Sequence, residues 1–286
     1  MAKIVTMRDI MTPNPVVARV PATRAEFLRL IAKTGITGMP VVNKEGKFVG
    51  MVTRRDILEK PNETQLSLIM RSKDEAPWVY EDATVEEGAE ILLKYGRRHM
   101  AVLNHDDEVV GVVTPYDFMK VVKERKISSP VIDYVSSPCI PVYTKTPLKI
   151  LLRLMIITKM NAFPVLDDDA KLVGIITDRD IFGKSYIDVS LSESKLGLGE
   201  DEDEWTWEGL KSVMKLVYMV ADLKVPNITV EEAMIPNPTT VFERSPAHEA
   251  AKIMLKNRFS QLPIRDINDE LISMVYDFDL VRVIIE

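Results

Sequence analysis

The fold is decided by a segment that recurs four times, as GMVTRRD (residues 50–56), GVVTPYD (111–117), GIITDRD (174–180) and SMVYDFD (273–279). Each copy is an apolar run that ends in an aspartate, three residues after a threonine in the first three copies and after a tyrosine in the last. The first three copies are about 60 residues apart, and the fourth follows the third by about 100. The sequence therefore predicts three contiguous repeats, an insertion and a fourth repeat.

The residues ahead of each segment also repeat, in the order strand, helix, strand, turn and strand. Each helix has its own start signal. Two starts are capping boxes, Thr23 with Glu26 and Thr84 with Glu87. The other two place an N-cap before a proline at the first helical position, at Thr146-Pro147 and Ser245-Pro246. Apolar strands are predicted at Met39–Val42, Met100–Leu103, Phe163–Leu166 and Leu262–Ile264.

These patterns predict a mixed α/β (α+β) fold built from four β-α-β-β-α repeats. A unit with so few strands cannot bury its sheet alone, so we expect sequential repeats to pack as two paired modules. The predicted boundaries are 7–60 and 66–124 for the first pair and 130–183 and 227–286 for the second. Residues 184–226 form the insertion before the fourth repeat.

The insertion carries an acidic, tryptophan-containing stretch, GEDEDEWTWE (residues 199–208), ahead of a segment with helical character. Charge runs usually face water and tryptophan usually buries, which favours a solvated turn whose aromatic rings pack onto the domain. The alternative is a docking surface for a partner protein or a second subunit.

Composition excludes several classes of protein. The chain has 286 residues and a formal net charge of -6, which disfavours nucleic acid as a partner because phosphate binding usually needs a basic face. Its one cysteine, Cys139, excludes a disulfide framework. Arg8 and Asp9 interrupt the N-terminus before an apolar run develops, and no apolar run is long enough for a membrane span. We therefore expect a cytoplasmic protein that does not enter a membrane.

The recurring strand, glycine, threonine and aspartate pattern resembles the cystathionine β-synthase (CBS) domain family. The array of four is similar to that of gamma subunits of AMP-activated protein kinase and their stand-alone microbial relatives. The resemblance covers nearly the whole chain outside the insertion. It implies repeats paired about a pseudo-twofold axis, with adenosine nucleotides or related adenosyl compounds in the clefts between them. It also implies a regulatory role, a homodimer and a regulated protein partner.

The Thr-x-x-Asp pattern has two interpretations. It resembles a helix capping box, in which the threonine and the acid stabilise free backbone N–H groups. The resemblance instead implies that the acid accepts hydrogen bonds from ribose hydroxyls and that the threonine contacts ribose or phosphate. Glycine inside a strand often marks the close approach of a ligand, here a purine. The residues concerned are Gly50, Thr53 and Asp56, then Gly111, Thr114 and Asp117, then Gly174, Thr177 and Asp180, and finally Asp279.

Cations for a phosphate group are also available. Arg54, Arg55 and Arg179 lie inside the recurring segments, and Arg97, Arg98 and His99 form a basic cluster just before a predicted strand. Surface solubility is the alternative for any one arginine. Phe163 and Pro164 complete the candidate ligand-binding set. His99 shares no metal-ligand spacing with the other two histidines, so neither a metal nor a bound cofactor is expected.

The leading hypothesis is a non-catalytic energy or metabolite sensor that binds AMP, ADP or ATP. One alternative is a structural adaptor with degenerate clefts, and another is a sensor of a different adenosyl ligand such as S-adenosylmethionine. An enzyme is least favoured, because no Gly-rich phosphate loop, zinc spacing or Ser-His-Asp candidate is present. The fourth copy departs from the pattern at Ser273 and Tyr276, which predicts an altered or empty cleft there.

Overall fold

The structure, a computed structural model, describes residues 5–60, 62–184 and 227–286. Residues 185–226 of the predicted insertion, including its acidic stretch, lie outside these residues. The mixed α/β class and the fourfold repeat are confirmed within the described part of the chain.

The first two repeats have matching element orders. The elements of the first are α1 (Met7–Ile10), β1 (Thr12–Pro13), β2 (Ala18–Arg19), α2 (Arg24–Thr34), β3 (Gly38–Val42), β4 (Phe48–Thr53) and α3 (Arg54–Glu59). Those of the second are α4 (Leu66–Ile69), β5 (Arg71–Ser72), β6 (Trp78–Tyr80), α5 (Val85–Tyr95), β7 (Met100–Leu103), β8 (Val109–Val113) and α6 (Pro115–Arg125).

The third and fourth repeats follow the same plan with local differences. The elements of the third are a 3-10 helix (Val131–Tyr134), β9 (Val142–Tyr143), α7 (Leu148–Thr158), β10 (Ala162–Leu166), β11 (Leu172–Thr177) and α8 (Asp178–Lys184). Those of the fourth are α9 (Val230–Ala233), β12 (Ile235–Pro236), β13 (Val241–Phe242), α10 (Ala247–Asn257), β14 (Gln261–Arg265), β15 (Leu271–Tyr276), α11 (Asp277–Leu280) and a 3-10 helix (Val281–Ile284).

The helix starts are confirmed at two of the four predicted positions. Thr23 and Thr84 are the N-caps of α2 and α5, and both capping boxes are formed. The prediction for α7 and α10 was wrong by one residue, because Pro147 and Pro246 are themselves the N-caps, in extended conformation. A proline carbonyl can accept the first helical hydrogen bond, as that of Pro147 does from the N–H of Leu151 at 3.2 Å.

Paired repeats exchange strands. In the first pair, β1 of the first repeat lies beside β8 of the second, and β5 of the second lies beside β4 of the first. The two contacts are reciprocal, since Pro13 is opposite Gly111 and Ser72 is opposite Gly50. In the second pair, β12 of the fourth repeat lies beside β11 of the third. We call these short exchanged strands the crossing strands.

The short helix before each crossing strand completes the core of the partner repeat. Leu66 and Ile69 of α4 are fully buried in the core of the first repeat. Val230 and Ala233 of α9 are likewise buried in the core of the third. The core of a pair therefore depends on both of its members.

The two pairs meet through their second members. Helix α6 of the second repeat packs along α10 of the fourth, and α5 contacts the C-terminal 3-10 helix. Their apolar faces form one continuous core that includes Phe118 and Met119 from α6 and Ala251 and Met254 from α10, all without exposed surface. This helix packing holds the pairs together and fixes the position of the first repeat near the third.

Candidate functional site

The Thr-x-x-Asp pattern forms the helix start at the end of each repeat. In the first repeat, both the N–H and the hydroxyl of Thr53 donate to Oδ2 of Asp56, at 2.8 and 2.6 Å. The pairs Thr114–Asp117 and Thr177–Asp180 repeat this geometry. In the fourth repeat the N–H of Tyr276 donates to Oδ2 of Asp279 at 2.9 Å. The capping interpretation is therefore confirmed, and in every copy it uses only Oδ2 of the acid.

The strand glycines have a structural role that the sequence interpretation missed. A Cβ atom at Gly50 would lie 1.9 Å from the carbonyl oxygen of Arg71 in β5. A Cβ at Gly111 would lie 2.3 Å from Sδ of Met11, and one at Gly174 would lie 2.3 Å from Sδ of Met234. These glycines admit the crossing strand of the partner repeat, so their presence does not indicate a purine.

A cavity of about 430 Å³ lies between the first, second and third repeats. It brings together seven of the predicted residues from two separate parts of the chain, namely Thr53, Arg54, Arg55, Asp56, Arg97, Arg98 and His99. The third repeat contributes an apolar wall of Leu152, Met155 and Ile156. The clustering of the 53–56 segment with the 97–99 segment supports a binding site at this place.

The cavity has an excess of cationic side chains in an acidic protein. Its lining includes the cations Arg54, Arg55, Arg71, Arg97, Arg98 and Lys159, against the acids Asp56, Glu59 and Asp178. Burial lowers the pKa of Arg54, and the nearby Asp178 carboxylate opposes this effect. A guanidinium stays charged despite such a shift, so the cavity favours an anionic group.

Six lining residues with polar side chains were not predicted, and they include the acids Glu59 and Asp178. Arg71 donates to both Asp56 and Glu59, at 2.8 and 2.9 Å. Thr37, Asn161 and Lys159 come from other elements and carry no motif of their own. Arg71 could have been found by aligning the crossing strands, because the other repeats carry threonine, serine or isoleucine at its position.

His99 is held as a neutral imidazole. Its Nε2 lies 3.1 Å from the hydroxyl of Thr37, and its ring packs on Gly38, where a Cβ would lie 2.9 Å from Nδ1. Burial, followed by the charges of Arg98 and Arg54, lowers the pKa of His99 to about 4. The side chain can therefore serve as a hydrogen-bonding group in the cavity near neutral pH, and it adds no charge.

Arg98 connects the two pairs of repeats. Its guanidinium makes a bidentate ion pair with Asp277 of the fourth repeat, with both N···O distances at 2.8 Å. Asp277 has no exposed surface. Since one edge of the guanidinium is occupied, Arg98 has fewer hydrogen-bond donors left for a ligand than the sequence suggested.

The other predicted residues lie outside this cavity. Phe163 and Pro164 are buried in the sheet of the third repeat, and Phe163 belongs to its core. Arg179 is exposed, although its charge reaches Arg54. Gly50 lies in β4 and is also absent from the lining. The remaining residues belong to the final strands and helix starts of the other three repeats, and these are Gly111, Thr114, Asp117, Gly174, Thr177, Asp180 and Asp279.

The fourth helix start is filled by the protein's own side chains. The hydroxyl of Ser136 donates to Oδ1 of Asp279 at 2.5 Å. The hydroxyl oxygen of Tyr276 is buried and has no hydrogen-bond partner in the described part of the chain. Burial, with the nearby Cys139 and Asp279, raises the pKa of Tyr276 to about 12. The departures at this repeat thus accompany an acid that is only 1% exposed and has a hydrogen bond from the protein on each carboxylate oxygen.

A sequence model of the CBS domain matches residues 7–63, 68–124, 131–186 and 230–286. The chain therefore belongs to the CBS domain family, and it contains four of these domains.

Two solved structures share the four-repeat architecture. One is an uncharacterized conserved protein from Pyrococcus horikoshii, at 25% identity and a TM-score of 0.68, with 98% of this chain and 100% of that chain covered. The other is MJ1225 from Methanocaldococcus jannaschii, at 20% identity and a TM-score of 0.68, with 98% and 99% covered. Its description proposes it as an archaeal homolog of g-AMPK. The similarity to MJ1225 supports the fold.

Among curated proteins, the chain is 30% identical over 131 residues to the chloroplast protein CBSX1 of Arabidopsis thaliana, which is 46% of this chain and 52% of that protein. It is 34% identical over 122 residues to an A-adding tRNA nucleotidyltransferase of Aquifex aeolicus, of which it covers only 14%. The chain thus spans about half, or far less, of these relatives. The likeness lies in the CBS segments, so it transfers no activity.

Among the described residues, no helix has the length and apolar character to span a membrane. No cluster of three or more His, Cys, Asp or Glu side chains is arranged there to hold a metal ion.

Proposed function

We propose that this chain is a non-catalytic regulatory protein that binds AMP, ADP or ATP in clefts between its paired CBS repeats. The observation that carries the proposal is the cavity where the 53–56 and 97–99 segments meet, with six cationic and three acidic side chains in its lining. Phosphate groups are the anions best matched to several converging guanidinium groups.

The charge of the cavity favours nucleotides over S-adenosylmethionine as the ligand. The sulfonium and ammonium groups of that compound would be repelled by the excess of arginine, whereas each added phosphate of AMP, ADP and ATP is attracted. We therefore expect affinity to rise with the number of phosphates. The expectation refers to nucleotide without bound Mg²⁺, because the metal would neutralise part of that charge.

A ligand in this cavity would contact three repeats and thus both pairs. It can change the packing of the repeats only by binding one arrangement more tightly than another. In our proposal a protein partner senses that change, and the chain acts as a homodimer in the cytoplasm. The adaptor alternative, with clefts that hold no ligand, predicts none of this binding.

The test is a thermal-shift and calorimetry panel with AMP, ADP, ATP and S-adenosylmethionine, without and with Mg²⁺. Bound ligand raises the melting temperature by mass action. Arg55→Gln should weaken ATP binding by about 10- to 100-fold, because a hydrogen bond to a charged group contributes about 1.5 to 3 kcal/mol. Arg153→Gln on the exposed surface of α7 is the matched control. If none of the four compounds shifts melting or gives binding heat, the chain is not a nucleotide sensor.

A further inference from the structure

The second residue after each short opening helix occupies an equivalent place in all four repeats. The helices end at Ile10, Ile69, Tyr134 and Ala233, each followed by one extended residue. The next residues are Thr12, Arg71, Ser136 and Ile235. We call these the crossing residues, because this part of the chain passes to the partner repeat. Each is thus expected near the acid of its partner's helix start.

In two of the four clefts the crossing residue donates a hydrogen bond to the carboxylate of that acid. Nε of Arg71 donates to Oδ1 of Asp56 at 2.8 Å, and Asp56 is only 2% exposed. The hydroxyl of Ser136 likewise donates to Oδ1 of Asp279. Since Oδ2 of each acid is already used at the helix start, both carboxylates have hydrogen bonds on both oxygens. Both acids are also almost fully buried, at 2% and 1% exposed, so a ribose diol cannot reach either carboxylate unless the crossing residue moves away.

In the other two clefts the crossing residue leaves the acid open. Thr12 belongs to the cleft of Asp117, and Ile235 belongs to the cleft of Asp180. Both acids are half-buried, and Oδ1 of each has no hydrogen-bond donor among the residues that the structure describes. Burial also raises the pKa of Asp117. A donor from a ligand would compensate for the lost hydration of this oxygen.

We propose that the crossing residue selects the clefts that recognise a ribose diol, so that Asp117 and Asp180 bind it while Asp56 and Asp279 do not. This inference rests on the proposed function and makes it more specific. The cavity beside Asp56 then holds phosphate through its guanidinium groups, and Arg71 excludes the diol from that carboxylate.

The experiment counts diol-dependent sites by native mass spectrometry of the full chain. Such a site is filled by AMP and not by 2′,3′-dideoxyadenosine monophosphate at the same concentration. Wild type should show two. Arg71→Thr places at this position the residue that Thr12 provides in the other cleft of the pair, and it should raise the number to three. The reciprocal change, Thr12→Arg, should lower it to one.

Three further variants keep the inference testable if Thr12→Arg does not fold. Asp117→Asn and Asp180→Asn should each remove one diol-dependent site, whereas Asp56→Asn should remove none. An unchanged count in folded Arg71→Thr, or loss of a site in Asp56→Asn, would overturn the inference while nucleotide binding stands. If wild type binds no nucleotide at all, the proposed function fails and this inference fails with it.

Discussion

Substitution of Gly50 by alanine tests whether the strand glycines serve the crossing strands. The new Cβ would lie 1.9 Å from the carbonyl oxygen of Arg71, a backbone atom that cannot rotate away. Strand β5 would have to move by more than about 1 Å to restore van der Waals contact. That movement would disturb its pairing with β4 and the burial of Leu66 and Ile69. We expect a loss of about 3 to 5 kcal/mol in the free energy of unfolding.

Urea denaturation would measure this loss, with Gly111→Ala as the comparison. At Gly111 the new Cβ meets Sδ of Met11 at 2.3 Å, and a flexible side chain can move. We expect a cost of about 1 to 3 kcal/mol that Met11→Ala largely relieves, and no single side-chain truncation should relieve the cost at Gly50. The reasoning is refuted if Gly50→Ala keeps wild-type stability, and above all if it then loses nucleotide binding, since the glycine would belong to a ligand site.

Three further predictions concern other polar contacts. A double-mutant cycle of Arg98→Ala and Asp277→Asn should give a coupling energy of about 1 to 3 kcal/mol in urea unfolding, while additive effects would show that the ion pair does not join the repeats. Because the pKa of His99 is depressed to about 4, its contribution to stability is present above pH 6.5 and is lost as the pH falls toward 4. Urea midpoints from pH 7 to 4.5 should therefore fall less in His99→Gln than in wild type. Tyr276→Phe should leave the free energy of unfolding unchanged or raise it by up to about 1 kcal/mol, because the buried hydroxyl has no partner among the described residues. Marked destabilisation in urea unfolding would mean that the hydroxyl has a partner.

Local signals in the sequence predicted much of the fold. The boxes at Thr23 and Thr84 are genuine helix starts, because Thr and Glu three residues apart satisfy backbone groups without help from the rest of the chain. The apolar runs became strands for a similarly local reason. The packing of α6 on α10 was not predicted, because apolar faces on two helices do not reveal which helix each one meets.

The candidate site could be predicted only in part. The Thr53–Asp56 and Arg97–His99 segments, which the resemblance placed together as candidate ligand-binding residues, do meet in one cavity. The strand glycines were assigned to a ligand because the sequence does not show that a crossing strand fills the same space. Arg71 was missed for a related reason. Its contact with Asp56 depends on pairing between β4 and β5, and only the register of that sheet brings the two side chains together.

The exchange of short strands has a consequence for fragments of this protein. A single repeat has one short strand that pairs with the sheet of a partner, and one sheet edge that lacks its own partner strand. Two copies of the same repeat are therefore complementary. A fragment of residues 1–60 would expose an open sheet edge and the gap left by Leu66 and Ile69. Two such fragments can close these gaps for each other, and a shortened chain is expected to assemble as a symmetric swapped dimer that imitates the natural pair.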